Sequence, residues 1–263
     1  MIIRVRRTGK HNTTVKIKLA IGAPSRAIAD AESERLRHSV VPIVGATPER
    51  RPYLVGSAVL LIHRERKVLA TAHHVLSDNE QVPLSIFASD GVSRPFGGTF
   101  NIAPEADLAV KHLSADEIAA FSHIPFIQQT DVGQATAAGN RFYAGVAGYP
   151  STRSKRMDRS TLDTRTTVLG GLAIERPSGI IEVSFAKREG MVDHGEHVTP
   201  PDPTGMSGGA IFGMALDGFE IQPGGSAKLV GIATRWRRGE KTICGSSVEI
   251  LTQLLEEIQD PNS

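Results

Sequence analysis

An all-β protein with a C-terminal helix and a basic N-terminal extension is what this sequence predicts, on three observations. Apolar or alternating stretches are short and are punctuated by Gly and Pro; helical periodicity is convincing only near the C-terminus; and the first 26 residues are basic and free of acid. In chain order the predicted strands are Leu54 to Ile62, Val68 to Ala72, Leu84 to Ala88, Asp107 to His112, Phe142 to Gly148, Thr161 to Leu169, Ile180 to Phe185, Gly209 to Met214 and Leu229 to Arg235. Two helices are predicted, a short one at Asp116 to Phe121 and a terminal one. In the latter, Ser246 and Glu249 form an S-x-x-E capping pattern, and Leu251, Leu254, Leu255 and Ile258 share one face.

The chain has 263 residues, 40% hydrophobic and 22% charged, enough for one large domain or two small barrels sharing an interface. Seven of the 30 basic residues lie between Arg4 and Arg26, so the remainder carries 23 basic against 28 acidic residues. A formal charge of +2 argues against nucleic acid or a membrane surface as the main partner. The single cysteine, Cys244, excludes an intrachain disulfide and favours a reducing compartment. Met1 to Ala20 lacks the apolar core of a secretory signal, and Val15, Ile17, Leu19 and Ile21 alternate as in a strand. The apolar run Leu54 to Ile62 is too short to span a bilayer. The expected location is cytoplasmic.

Three segments carry chemistry. They are Leu69-Ala70-Thr71-Ala72-His73-His74-Val75-Leu76, Ala106-Asp107-Leu108-Ala109-Val110 and Thr204-Gly205-Met206-Ser207-Gly208-Gly209-Ala210. Hydrolysing a peptide bond at neutral pH requires an activated nucleophile, a base that takes and returns a proton, and fixed donors for a developing oxyanion. Serine, histidine and a Gly-rich turn are residue types that can supply all three.

Together the segments resemble the trypsin-like (chymotrypsin-fold) serine peptidases, with their T-A-x-H, D-(L/I)-A and G-x-S-G-G motifs. The resemblance runs roughly from Val41 to the C-terminus and is nearer to bacterial stress-protease-like members than to digestive trypsins. It implies two six-stranded antiparallel barrels, about 41–130 and 131–263, behind an extension at 1–40. It further implies His74 as base, Asp107 as its orienting carboxylate, Ser207 as nucleophile and the N–H groups of Gly205 and Ser207 as the oxyanion hole. His73 fills a slot that is usually small. The substrate strand would carry Ala233, Thr234, Arg235 and Trp236, with Thr234 touching Asp107. No metal or cofactor is implied, and the partner is a protein or peptide substrate.

The order of residues separates this reading from others. G-x-S-G-G also satisfies the nucleophile elbow of α/β-hydrolases, whose histidine follows the serine. All nine histidines here precede Ser207. A subtilisin-like order requires an aspartate before the histidine, and before His74 only Asp30 exists. The separations of 33 residues from His74 to Asp107 and 100 from Asp107 to Ser207 suit one barrel holding the first pair and a second holding the serine.

Departures from the family shape the functional expectation. Met206 stands where digestive enzymes carry an aspartate that meets a newly cleaved N-terminus, so Ile43-Val44-Gly45-Ala46 only mimics such a terminus. Val75 occupies a cysteine slot. Pro201 falls at the pocket floor beside Asp202, and Trp236 replaces a glycine of open-pocket enzymes, which suggests small aliphatic residues before the cleaved bond. Two readings follow: a serine endopeptidase needing no N-terminal activation, or a catalytically weak or latent trypsin-like fold acting as a partner-binding or partner-activated regulatory module. Asp193-His194-Gly195-Glu196-His197 lacks recognised zinc spacing and is expected to be a solvated loop, as is the basic run Arg153 to Arg159.

Overall fold

The computed structural model describes residues 23–49, 51–87, 93–135, 140–156, 162–184, 191–193, 196–198, 200–218, 220–222 and 224–257. A first sheet holds β1 (Val40–Ala46), β2 (Pro52–His63), β3 (Arg66–Ala72), β4 (Leu84–Phe87), β5 (Ser93–Pro95), β6 (Asn101–Ala103) and β7 (Leu108–His112), in the order β5-β4-β1-β2-β3-β7-β6. A second holds β8 (Arg141–Gly148), β9 (Thr167–Glu175), β10 (Ile180–Ser184), β11 (Ala210–Met214), β12 (Lys228–Arg237) and β13 (Thr242–Ser247). It closes on itself as a barrel in the order β9-β10-β13-β12-β11-β8. Every pairing in the two sheets is antiparallel. The first sheet thus has seven strands where six were expected, and among the described residues only the second closes.

The two-residue period of a strand explains why β2 is apolar throughout. Ala58 and Leu60 face Ile43, Leu69 and Ile86 inside the first sheet. Val59 and Leu61 point the other way, into a cluster shared with Leu108, Phe212 and Leu229, where the two sheets meet. That shared core fixes the first sheet's loops against those of the second barrel. A third cluster, with Phe142, Val146, Ile181, Ile211 and Ile243, fills the barrel.

Four α-helices are described: α1 (Ala23–Arg37), α2 (His73–Ser77), α3 (Ala115–Ala120) and α4 (Val248–Glu256). Ser114 caps α3 in a reciprocal box with Glu117. The expected box at Ser246 and Glu249 does not form. Ser246 belongs to β13, Ser247 is the N-cap of α4 without a side-chain cap bond, and Val248, Leu251, Leu254 and Leu255 are the buried residues; Ile258 lies outside the described residues. The strand expected at 161–169 runs instead at 167–175.

The expected elements do not include α1, α2, β1, β5, β6 or β13. In α1 the buried residues are Ser25, Ala29, Ser33 and Leu36, one helical face made mostly of small side chains. The helix docks on the second barrel through polar contacts: Ser25 Oγ donates to Glu220 and accepts from the N–H of Ile221 at 3.0 Å, and Glu32 accepts from the N–H of Ala227 at 2.9 Å. The alternating run Val15 to Ile21 lies outside the described residues, as does the sequence from Met157 to Thr161. No described helix is long and apolar enough to cross a membrane.

Candidate active site

His74 is the second residue of α2, which begins where β3 ends. Its position is set by Asp107. The Asp107 carbonyl accepts from the N–H of His73 at 3.0 Å, Asp107 Oδ1 accepts from the N–H of His74 at 2.9 Å, and Oδ2 lies 2.7 Å from His74 Nδ1. One residue therefore holds both the first turn of α2 and the imidazole. It does so from a left-handed backbone conformation, φ 51° and ψ 42°, closing the turn Pro104–Ala106. For a side chain other than glycine that conformation is costly, and aspartate is among the residues that tolerate it best.

Partial burial of Asp107 opposes its ionisation. The hydrogen bonds from the ring and backbone of His74, with the charges of His74 and Arg235, outweigh this and hold the carboxyl below its usual range. With Nδ1 engaged, Nε2 is the ring nitrogen left for a reacting group. The imidazole side chain is 37% exposed, against 21% for Asp107. His73 contributes its backbone, not its ring, to this arrangement.

Ser207 comes from the opposite side, in a turn between Gly205 and Gly208. Both glycines have positive φ, 94° and 83°. A Cβ on Gly208 would lie 2.0 Å from the Ser57 carbonyl oxygen and 2.3 Å from Thr71 Oγ1, so no other residue fits there. The turn is tied to the first sheet by Ser57 of β2. Its N–H donates to the Ser207 carbonyl at 2.8 Å, its Oγ donates to the Gly205 carbonyl at 3.1 Å, and the same Oγ accepts from the N–H of Tyr149 at 3.0 Å. Thr71 Oγ1 donates to the Ser57 carbonyl at 2.7 Å.

Further ties come from the second barrel. Ser151 N donates to the Thr204 carbonyl at 2.8 Å, and Gly209 N donates to the Met206 carbonyl at 2.9 Å. In a trans peptide the N–H points opposite to the carbonyl. The amides of Gly205 and Ser207 therefore project away from those two engaged carbonyls, and among the described residues neither donates to a protein acceptor. Met206 is 1% exposed and packs in the barrel core.

Asp202 braces the start of the loop. It accepts from the N–H of Thr204 at 3.2 Å and from its hydroxyl at 2.6 Å, and it meets Arg238 at 2.9 Å. The Thr204 hydroxyl, then its amide and Arg238, overcome desolvation and lower the Asp202 carboxyl to about 2. Asp202 is thereby committed to the loop. Pro201 is buried, and Trp236 packs partly buried against the barrel core.

Two expectations change. Thr234 makes no hydrogen bond to Asp107 among the described residues: its hydroxyl donates to the Cys244 carbonyl at 3.4 Å. The reason is a bulge in β12, where Ala233 pairs with Gly245 and Arg235 with Cys244, leaving Thr234 as the extra residue. The side chain that reaches the Asp107 turn is that of Ser246, whose hydroxyl donates to the Ala106 carbonyl. The Ser207 hydroxyl, in turn, donates to the Thr234 carbonyl at 3.2 Å and not to His74.

Ser57 and Ser246 escaped the sequence reading. Ser57 had a usable signal, a lone hydroxyl within an apolar strand run; Ser246 had none, because its partner is a distant backbone carbonyl. Ile43 to Ala46 lie within β1, with Ile43 to Gly45 paired on both sides, and Ile43 is fully buried. Val75 fills the space over Gly56. No cluster of metal-ligating side chains occurs among the described residues, which exclude the side chains of Asp193 to His197.

Comparison with solved structures gives the architecture a precedent. The HtrA-type protease AlgW, solved with a tripeptide, superposes with a TM-score of 0.53 at 17% identity, over 89% of this chain and 64% of that one. The fold is trypsin-like. The chain spans less than two thirds of the AlgW chain, and the identity is low enough that the likeness establishes fold alone. The serine protease domain of the Sesbania mosaic virus polyprotein also matches, with TM-score 0.47 and 10% identity over 82% of this chain and 91% of that domain. No protein-family model matches the sequence, and no curated protein matches it. Within the trypsin-like fold, His74 and Asp107 belong to the first sheet and Ser207 to the second barrel, and the shared core holds the two together.

Proposed function

We propose that this protein is a serine endopeptidase that cleaves protein or peptide substrates through Ser207, His74 and Asp107. The observation that carries the reading is the doubly bonded Asp107–His74 pair, with its ring geometry fixed through Nδ1, within a trypsin-like fold.

In the proposed reaction Ser207 Oγ attacks the scissile carbonyl carbon as His74 Nε2 takes its proton. The oxyanion is met by the N–H groups of Gly205 and Ser207. Collapse breaks the C–N bond, His74 gives the proton to the leaving amine, and an acyl-enzyme ester remains. Water then attacks the ester, passing its proton to His74; the acid leaves and the proton returns to Ser207. Asp107 keeps the productive tautomer and stabilises the imidazolium.

Activation by a freed N-terminus plays no part in this proposal. Met206 offers no charge to meet one, and Ile43 to Ala46 lie in a paired strand. Asp202 is spent on Thr204 and Arg238, and Trp236 stands at the position where open-pocket members of the family carry glycine, which favours small aliphatic residues before the cleaved bond over basic ones. A second reading, a latent peptidase released by a protein partner, has its own observation in the Ser207 hydroxyl resting on Thr234. The hydroxyl must swing to His74 before it can react, and a substrate N–H taking the Thr234 carbonyl would release it.

Both readings are tested by fluorophosphonate labelling with and without cell lysate, alongside casein cleavage. Labelling of the wild type alone, lost in Ser207→Ala, supports the first. Labelling only with lysate supports the second. Activity that survives Ser207→Ala and is abolished by a chelator contradicts both.

A further inference from the structure

The strand beside Ser207 changes neighbours part-way along. Up to Ala233, β12 is paired on one side with β11, ending with Ala233 N donating to Gly209 O at 2.8 Å and Gly208 N donating to Ala233 O at 2.7 Å. Beyond it, among the described residues, β12 pairs only with β13, through Arg235↔Cys244, Trp236↔Ile243 and Arg237↔Thr242. Residues 234 to 237 are therefore a sheet edge that begins at the nucleophile. An edge of this kind can take an extended peptide as an added strand.

The register of such a peptide follows from the edge itself. The Thr234 carbonyl faces Ser207, because it accepts from Ser207 Oγ. Backbone groups alternate along a strand, so Trp236 presents its own to the same side. A substrate laid antiparallel, with the N–H of the residue before the cleaved bond on Thr234, has its third residue back at Trp236. The second residue back then stands opposite Arg235. Directly opposed residues put their side chains on the same face, about 5 Å apart at Cβ.

Arg235 is exposed, and among the described residues it makes no hydrogen bond or ion pair. Its neighbours are engaged: Arg237 lies by Glu182 and Glu240, and Arg238 by Asp202. The nearby carboxylate of Asp107 is bonded to His74. Resting on the peptidase reading, we propose that Arg235 selects substrates with Asp or Glu at the second position before the cleaved bond. A guanidinium suits a carboxylate in a paired geometry, and the mouth of a cleft strengthens such a contact over one on open surface. The preference is charge-based, so it weakens with salt.

The test is a cleavage profile of the full chain on a proteome-derived peptide library, read by mass spectrometry, for wild type, Arg235→Gln and Arg235→Glu. The wild type should favour Asp and Glu over Asn and Gln at the second position by roughly 5- to 30-fold in kcat/KM. Arg235→Gln should flatten that ratio, and Arg235→Glu should turn it toward Lys and Arg. A wild-type ratio below twofold overturns the proposal. So does an Arg235→Gln variant that loses kcat equally on all peptides while keeping the ratio, since Arg235 would then act through Asp107. Wild-type protein that neither cleaves the library nor labels with fluorophosphonate overturns the peptidase reading as well, which separates the two failures.

Discussion

The two sides of the cleft are built in different ways. On the first sheet, one aspartate fixes the histidine turn by three hydrogen bonds, two accepted by its carboxylate from His74 and one accepted by its backbone carbonyl from His73, and the geometry is local. On the second barrel, the serine rides on a glycine turn held by Ser57 of the other sheet, Ser151, Asp202, Ala233 and the buried Met206. A base must hold one orientation through proton transfer, which a short hydrogen bond to a carboxylate provides. A nucleophile and its oxyanion donors must be presented by backbone, which requires positive φ and hence external bracing. The contrast predicts that damage to the first side is large and chemical, and that damage to the second is graded.

Replacing His74 by Ala should lower kcat by about 10^4- to 10^6-fold, while His73→Ala stays within a few-fold of wild type; equal losses in a peptide-cleavage assay would contradict the assignment of the ring. Asp107→Asn should cost about 10^4-fold in kcat by allowing the wrong tautomer, with the fold retained by circular dichroism. Ser57→Ala should be milder. It orphans the Tyr149 N–H and frees the Gly205 carbonyl, lowering kcat about ten- to hundredfold with little change in KM. Affinity for a peptide aldehyde, which mimics the tetrahedral state, should fall in step; an unchanged affinity would mean that the loop is braced elsewhere.

Asp202→Asn should have the smallest effect, a two- to fivefold loss of kcat at neutral pH. Its pH dependence is distinctive. The carboxyl is held at about 2 in the folded protein against about 3.9 in an unfolded chain. Its stabilising contribution is therefore fully present above pH about 4 and is lost as pH falls through about 2. The difference in Tm between wild type and Asp202→Asn should be constant from neutral pH down to about 4 and vanish near 2. A difference that disappears by pH 5 would show that the carboxylate is not held as described.

The same contrast governs what could be read from sequence. The Asp107–His74 pairing and the glycine turn around Ser207 are legible because each falls in a short motif at a strand end, where local backbone geometry dictates residue type. The ties between the two sides are not legible, because they join distant residues: Ser57 to Gly205, Ser246 to Ala106, Ser25 to Glu220. The helix α1 was invisible because its buried face consists largely of Ser and Ala, which no hydrophobic periodicity marks. Thr234 was misread because a bulge, set by pairing with β13, turns a two-residue period into an offset.

Fluorophosphonate labelling of the purified wild type beside Ser207→Ala bears most directly on the central claim. Covalent modification of one serine in the wild type, located at Ser207 by peptide mapping and absent from the variant, is the predicted result. Modification at another serine, or equal labelling of both proteins, would contradict it.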